Sequence, residues 1–420
     1  MSSAISKLVL TAVVMAVSAG SAFAADDAMK TDKREGVRDR ARPAYDAVGI
    51  KAGAFTVYPT AGIKESYDDN IYATDTNETE DFITQLSADV YVTSNWSRHL
   101  LNFSAGVKQA LYADYSDENR LDWNVGVDGR VDITRDTQFG GSLSYAELHE
   151  DRGDPNATFV ATEPTPYSLL AAQASFNHRF NRLGLRLSGS FDDYDYDDVY
   201  NSAGLVIDQD DRDRTEYGQA LRASYEVSPD TNLYVEGSLN QRDYDLSTPV
   251  VAFNRNSDGY AVVGGSEFRL SNLAQGTIYA GYQAQSYDDP ALSDVTGLRY
   301  GANIEWYATP LTTVTFNAGS TIEETTTVGA SGYLAQSVGA RIDHELLRNI
   351  LLNGSLSFEN DDYEGVSRSD DVVRAGLGAE YLLNRNFSLS LDYDYTDRSS
   401  SALGNDYSRN VIGLTLSGQL

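Results

Sequence analysis

The stretch Leu121-Asp122-Trp123-Asn124-Val125-Gly126-Val127-Asp128-Gly129-Arg130-Val131-Asp132-Ile133 alternates from end to end. Apolar or small side chains hold the odd positions, and polar or small ones hold the even positions. A β-strand points successive side chains to opposite faces, so this segment shows one face to an apolar medium and the other to water. The same alternation returns at Leu101 to Val107, Leu183 to Phe191, Leu298 to Trp306, Val373 to Leu383 and Ile412 to Leu420. Strands of soluble sandwiches run about 5 to 6 residues, whereas a tilted strand crossing a bilayer needs about 9 to 11. These segments reach the longer figure, which predicts membrane-spanning strands.

Working outward, short polar turns recur at Asn95-Trp96-Ser97-Arg98, Thr134-Arg135-Asp136-Thr137, Asn181-Arg182, Ser228-Pro229-Asp230-Thr231, Ser271-Asn272, Ala308-Thr309-Pro310, Arg348-Asn349 and Asn384-Arg385-Asn386. Between them lie longer acidic segments, among them 67–81, 150–167, 192–213, 243–258, 360–371 and 396–408. Short turns on one side and long loops on the other are the asymmetry of outer-membrane barrels. One strand on each side of every turn, plus one at each end, gives about eighteen, an even number as bacterial barrels require. The fold expected is an all-β, closed antiparallel transmembrane up-and-down β-barrel over residues 51–420, with both termini periplasmic. Closure removes the sheet edges and satisfies every backbone group within lipid. Tyrosine gathers at strand ends, at Tyr58, Tyr67, Tyr112, Tyr145, Tyr194, Tyr225, Tyr282, Tyr287, Tyr363, Tyr381, Tyr393 and Tyr395. That placement predicts aromatic girdles at the two membrane surfaces.

Residues 1–24 read as a cleavable signal peptide, with basic Lys7, an apolar run from Leu8 to Val17 and a small-x-small site ending at Ala24. Its removal takes Lys7 alone of the 32 basic residues, against 62 acidic ones. Such acidity argues against a nucleic-acid partner. Residues 25–50 are polar and basic, with Lys30, Lys33, Arg34, Arg38, Arg40 and Arg42, and read as a flexible periplasmic tail. No later stretch of eighteen apolar residues exists, which excludes helical membrane spans. The absence of cysteine excludes disulfide scaffolds, thiolate catalysis and cysteine zinc sites. About thirty residues before the first strand are too few for the plug of a 22-strand transporter.

The segment Glu65-Ser66-Tyr67-Asp68-Asp69-Asn70-Ile71-Tyr72 resembles the aromatic-x-Asp-Asn-aliphatic signature of the Putative beta-barrel porin 2 family. Asn386-Phe387-Ser388-Leu389, Tyr393-Asp394-Tyr395-Thr396-Asp397-Arg398 and Tyr407-Ser408-Arg409-Asn410 are similar to that family's closing hairpin. With the repeated turns, the resemblance covers roughly residues 50–420. It implies an outer-membrane porin whose relatives are associated with exopolysaccharide or adhesin-polysaccharide secretion. It carries no catalytic residues. The chain departs from the common outer-membrane ending, a terminal aromatic residue, by closing on Gly418-Gln419-Leu420.

Parity assigns Arg186, Arg222, Arg269, Arg299, Arg341 and Arg374 to the water-facing side, with Asp128, Glu236, Glu267, Glu305, Asp343 and Glu380. Opposed charges in a wide lumen set a transverse field and tune solute selectivity; paired across neighbouring strands, they instead stiffen the wall. Asp192 to Asp198 and Asp208 to Asp213 offer carboxylates for divalent cations, without calcium-loop spacing. Such a surface can bridge through cations to lipopolysaccharide. His149, beside Glu147, Glu150 and Asp151, is the one histidine near an outer loop. It has no third partner of a catalytic constellation in the sequence, so no enzyme activity, cofactor or metal is expected. The reading is an outer-membrane channel for polysaccharide export. It would work with outer-membrane lipid, the barrel assembly machinery and periplasmic export proteins. A general diffusion porin and a structural or adhesive surface barrel are the alternatives.

Overall fold

The computed structural model describes residues 35–158, 160–246 and 253–420. The signal peptide with its Ala24 site, and the first ten residues of the tail, lie outside the described residues. Among the described residues eighteen long strands follow one another along the chain. They are β1 (Phe55–Asp68), β2 (Asp81–Ser94), β3 (Leu100–Tyr112), β4 (Arg120–Asp132), β5 (Thr137–His149), β6 (Pro166–Phe180), β7 (Leu183–Tyr196), β8 (Arg214–Ser228) and β9 (Thr231–Tyr244). The second half comprises β10 (Ser257–Leu270), β11 (Ala274–Tyr287), β12 (Val295–Thr309), β13 (Thr312–Glu323), β14 (Tyr333–Leu347), β15 (Ile350–Tyr363), β16 (Ser369–Leu382), β17 (Phe387–Ser400) and β18 (Tyr407–Gln419). Each pairs antiparallel with its sequence neighbour, and β1 pairs with β18 from Thr60↔Gln419 to Asp68↔Val411. The sheet therefore closes into a barrel without edges.

The side-chain period fixes which face is which. On β12, Leu298 is 70% exposed and stands outside with Tyr300 and Ile304, while Arg299, Asn303 and Glu305 point inward. On β16, Leu377 is 66% exposed, between inward Gly376 and Gly378. An apolar belt of this extent is unfavourable in water and favourable in lipid. No helix of the described residues is long and apolar enough to cross a membrane; the strands do so.

Two sequence expectations change in detail. The strands run 12 to 15 residues, longer than the crossing requires, because the hydrogen-bond ladder continues past the apolar belt on the long-loop side. Asp192-Asp193-Tyr194-Asp195-Tyr196 accordingly belongs to β7, not to a loop. The tyrosines also divide by parity. Tyr67, Tyr145, Tyr225, Tyr282, Tyr381, Tyr393 and Tyr395 lie on the outer face. Tyr58, Tyr112, Tyr194, Tyr287 and Tyr363 share the inner face with polar residues, and the last four are buried there. Position at a strand end suggested a girdle, but the period of two decides which way each ring points.

The segment read as a flexible tail is described from Glu35 onward, and there it folds against the barrel. Val37 and Arg42 are buried, and Ile50–Ala52 forms a short strand on Phe55–Val57. The rest of the segment lies at the short-turn end of the lumen.

Candidate functional site

The lumen wall carries its charges in local groups. Arg222 on β8 donates through Nε to Glu236 on β9 at 2.7 Å and through Nη1 to Glu267 on β10 at 3.0 Å. Its guanidinium lies 4.1 Å from the centre of the Tyr234 ring. Arg186 stands directly opposite Arg222 in the β7–β8 register. Arg341 binds Asp343 two residues along its own strand at 3.1 Å, and Arg374 meets Glu359 on β15 at 3.4 Å. Arg299 donates to the Ser320 carbonyl at 3.0 Å. Glu305 accepts from Gln275 at 2.7 Å and from Tyr307 at 2.9 Å, and Asp128 accepts from Asn102 at 2.8 Å. Arg269 and Glu380 keep the inward register. Most of these contacts join near neighbours on the wall, an arrangement that stiffens the sheet.

The long-loop end is organised by arginines that sequence reasoning left inside solvated acidic segments. Residues 150–165, joining β5 to β6, reach the loop that joins β13 to β14, almost diametrically opposite in strand order. There Asn156 Nδ2 donates to the Glu324 carbonyl at 3.3 Å, and Thr326 N donates to Asn156 Oδ1 at 3.0 Å. The same crossing loop is tied to two neighbouring loops and to one wall strand. Arg152 donates to Glu118 at 3.0 Å and to the Ala161 carbonyl at 3.1 Å. Glu150 accepts from Arg212, whose guanidinium stacks 4.0 Å from the centre of the Tyr196 ring. Asp151 accepts from Arg409 of β18 at 3.0 Å.

The loop that receives Asn156 is held in turn. Arg242 pairs with Glu324, Tyr244 donates to the same carboxylate at 2.7 Å, and Arg255 donates to the Ala330 carbonyl at 3.2 Å. Arg368 donates to Thr327 at 2.9 Å and to Asp370 at 2.7 Å. The side chains of Arg242, Glu118 and Asp370 are almost fully withdrawn from water. Burial of charge at this density is tolerated because each ion has its counterion and further hydrogen bonds. The available sequence signal was a lone arginine in each of four acidic segments, Arg152, Arg212, Arg255 and Arg368, with Arg242 just ahead of the third.

Loop carboxylates respond to this packing. Burial and then Glu150 push Asp154 up to about 6. Against the burial that would raise it, Arg409 and Arg120 hold Asp151 down at about 2.

In the 197–213 loop, Asp198, Asp208 and Asp210 bring carboxylate oxygens within 4.8 Å of one another, all on exposed residues. Asp208 raises the Asp210 carboxyl. The three offer oxygen ligands of the kind hard cations take. His149 Nδ1 lies 2.9 Å from Asp122, not beside the carboxylates that neighbour it in sequence. Glu147 accepts from Trp123, Glu150 from Arg212 and Asp151 from Arg409.

The segments that carried the family resemblance meet in space at the seam between β18 and β1. Asp68 accepts from Arg409 at 2.8 and 2.5 Å. Asp69 accepts from Asn410 N at 2.6 Å and from its Nδ2 at 2.7 Å. Asn70 donates to the Ser408 carbonyl at 2.9 Å and to the Thr74 carbonyl at 2.8 Å. Ile71 packs with Ile83, Ala110 and Tyr112. The Asp-Asp-Asn signature is thus the joint that locks the first strand to the last.

The sequence matches the family described as Putative beta-barrel porin 2 across residues 42–420. No curated protein matches it. Among solved structures the chain is similar to the siderophore receptor PiuA from Acinetobacter baumannii, at 9% identity and a TM-score of 0.48, covering 89% of this chain and 82% of that one. It is also similar to OpdO of Pseudomonas aeruginosa, at 12% identity and a TM-score of 0.45, covering 87% and 97% of the two chains. OccAB4 of Acinetobacter baumannii gives 12% identity and a TM-score of 0.44, covering 87% and 98%. The family match spans all eighteen strands, the seam motif and the crossing loop, and the apolar belt places the barrel in an outer membrane. The chain belongs to the Putative beta-barrel porin 2 family.

Proposed function

We propose that this protein is an outer-membrane passage for saccharide chains, closed at rest by its own crossing loop and opened when that loop is displaced. The observation that carries the reading is the junction of Asn156 with Glu324 and Thr326, which joins opposite walls across the mouth. A general diffusion porin works alone and stands open, whereas a mouth bridged from wall to wall suits a channel opened by partners. Short turns and termini then face the periplasm of a Gram-negative cell, where export proteins deliver the polymer, and the acidic loops face outward toward lipopolysaccharide.

The inner face supports a neutral, hydroxylated cargo. Several of its charges are paired along the wall, and serine, asparagine, glutamine and tyrosine stand among them as contacts a sugar would meet. Hydroxyls and amides exchange hydrogen bonds with sugars at little net gain, so a polymer is held weakly at many points and can slide. The energy for movement comes from elsewhere.

The test is surface polysaccharide in a deletion strain, measured by lectin or dye binding, with the full gene returned in trans. Loss of polymer restored by the gene is the expected result. Unchanged polymer together with altered uptake of small solutes would replace this reading with a general porin.

A further inference from the structure

At the short-turn end the inward faces of β12 and β14 finish in carboxylates, with Glu305 on one strand and Asp343 and Glu345 on the other. Thr313 of β13 lies between them in the sheet. The N-terminal segment sits in this cradle. Val37 N donates to Thr313 Oγ1 at 2.9 Å, and Val37 is 1% exposed. Arg38 donates to Asp343 at 2.9 Å, Arg40 to Glu345 at 3.1 Å and Arg42 to Glu345 at 3.0 Å. Glu345 also receives Arg348, so three guanidinium groups converge on one buried carboxylate.

The segment is shaped for this place. Arg42 donates to the carbonyls of Val37 at 2.8 Å and Arg40 at 3.2 Å, and its own N–H reaches Asp46 at 2.6 Å, so the chain wraps its guanidinium. The segment then runs along the mouth past the β16–β17 turn to β18, about a quarter of the way round the wall. Arg385 donates to the Pro43 carbonyl at 2.7 Å, and Gln419 donates to the Tyr45 carbonyl at 3.0 Å.

We infer that Asp343 and Glu345, beside Glu305, form a receptor site for an arginine-bearing peptide, and that residues 36–46 occupy it as a detachable ionic latch along one side of the short-turn mouth. Polar contacts dominate the docking, with Val37 the one large apolar side chain it buries. Affinity therefore rests on charge and falls with salt. The tether to β1 is a handful of residues, which raises the effective concentration of the segment to the millimolar range and keeps weak contacts occupied. The Arg42 side chain, only 3% exposed, would be a buried cation without a counterion if Glu345 were neutral. That penalty is relieved when the segment leaves, so loss of one carboxylate favours release. The inference goes beyond the saccharide reading and holds whatever passes through the barrel.

The chain has no cysteine, so a pair introduced as Val37→Cys and Thr313→Cys reports docking in the intact, refolded protein. Oxidation should link most molecules at low salt. Arg38→Gln, Arg40→Gln and Arg42→Gln together, Glu345→Gln alone, and 1 M KCl should each lower the yield at least fivefold. A free peptide of residues 36–46 should compete. The arginine changes lie outside the barrel strands, and a gel shift between heated and unheated samples verifies that each variant is folded. A yield unmoved by the triple change and by salt would overturn the latch. In a variant with the crossing loop released by Asn156→Ala and Asp151→Asn, conductance of the linked protein should rise when the disulfide is reduced; a current indifferent to reduction would overturn its position at the mouth. A barrel that conducts in no state would instead fail the channel reading, while the crosslink yield still decides the latch.

Discussion

Arg409 on the last strand donates to Asp68 on the first at 2.5 Å, and the same guanidinium reaches Asp151 of the crossing loop at 3.0 Å. One side chain thus fastens the seam of the barrel and one end of the segment that spans its mouth. Asp68 is fully buried. Arg409→Ala would leave it without its counterion, a loss of about 3 to 5 kcal/mol. The urea midpoint of the folded-to-unfolded gel shift should fall accordingly. Arg409→Lys, which keeps the charge and loses the two-pronged geometry, should fall less.

The crossing loop should close more firmly in acid. Asp154 is pushed up to about 6, chiefly by burial and then by Glu150, above an ordinary value near 4. Docking the loop therefore takes up a proton. The docked form is most stable below pH 4 and loses that stability as pH rises through about 6. Asp151, held down at about 2, contributes its pairing above the ordinary value and loses it only as pH falls through 2, so it is constant between pH 5 and 8. Open time in planar bilayers should increase from pH 5 to pH 7. Asp154→Asn should remove most of that dependence, even though Asp213 on the neighbouring loop also lies near 6.

Lumen selectivity should depend on Arg222. Its removal leaves Glu236 and Glu267 without the cation that holds both. In a variant with the crossing loop released, Arg222→Ala should raise the potassium-to-chloride permeability ratio about twofold, because a ring of carboxylates favours cations. Adding Glu236→Gln should return the ratio toward the parent. An unchanged reversal potential would place these side chains away from the conduction path.

Two inward tyrosines lie over glycines of the next strand. A Cβ at Gly265 would stand 2.4 Å from the Tyr234 ring, and one at Gly301 would stand 2.3 Å from the Tyr279 ring. Gly265→Val and Gly301→Val should each destabilise the barrel by about 1 to 3 kcal/mol, the usual range for overpacking. Gly237→Val, on the outer face with nothing within 4 Å of the added carbon, should leave the unfolding midpoint unchanged.

The wall of this protein was legible in the sequence and its closures were not. A period of two fixes the face of every strand residue, so Arg186, Arg222 and Glu305 could be assigned inward from parity alone. The same parity would have turned Tyr112 and Tyr194 inward, had it been applied instead of position at a strand end. Asn156 and Glu324 belong to irregular loops 168 residues apart, where no period relates one to the other. Arg42 and Glu345 are 303 residues apart, and their meeting depends on closure of the whole sheet. The seam lies between these cases. Its Asp-Asp-Asn and Arg-Asn segments were recognisable as a family pattern, and closure explains why both are needed.

The loop between β5 and β6 bridges the mouth at rest through Asn156. The most direct measurement is single-channel current from the purified full chain in planar bilayers, beside a variant carrying Asn156→Ala and Asp151→Asn. The parent should be closed or open only briefly, and the variant should conduct steadily with several-fold larger current. A parent that stands open at the conductance of the variant would contradict the account.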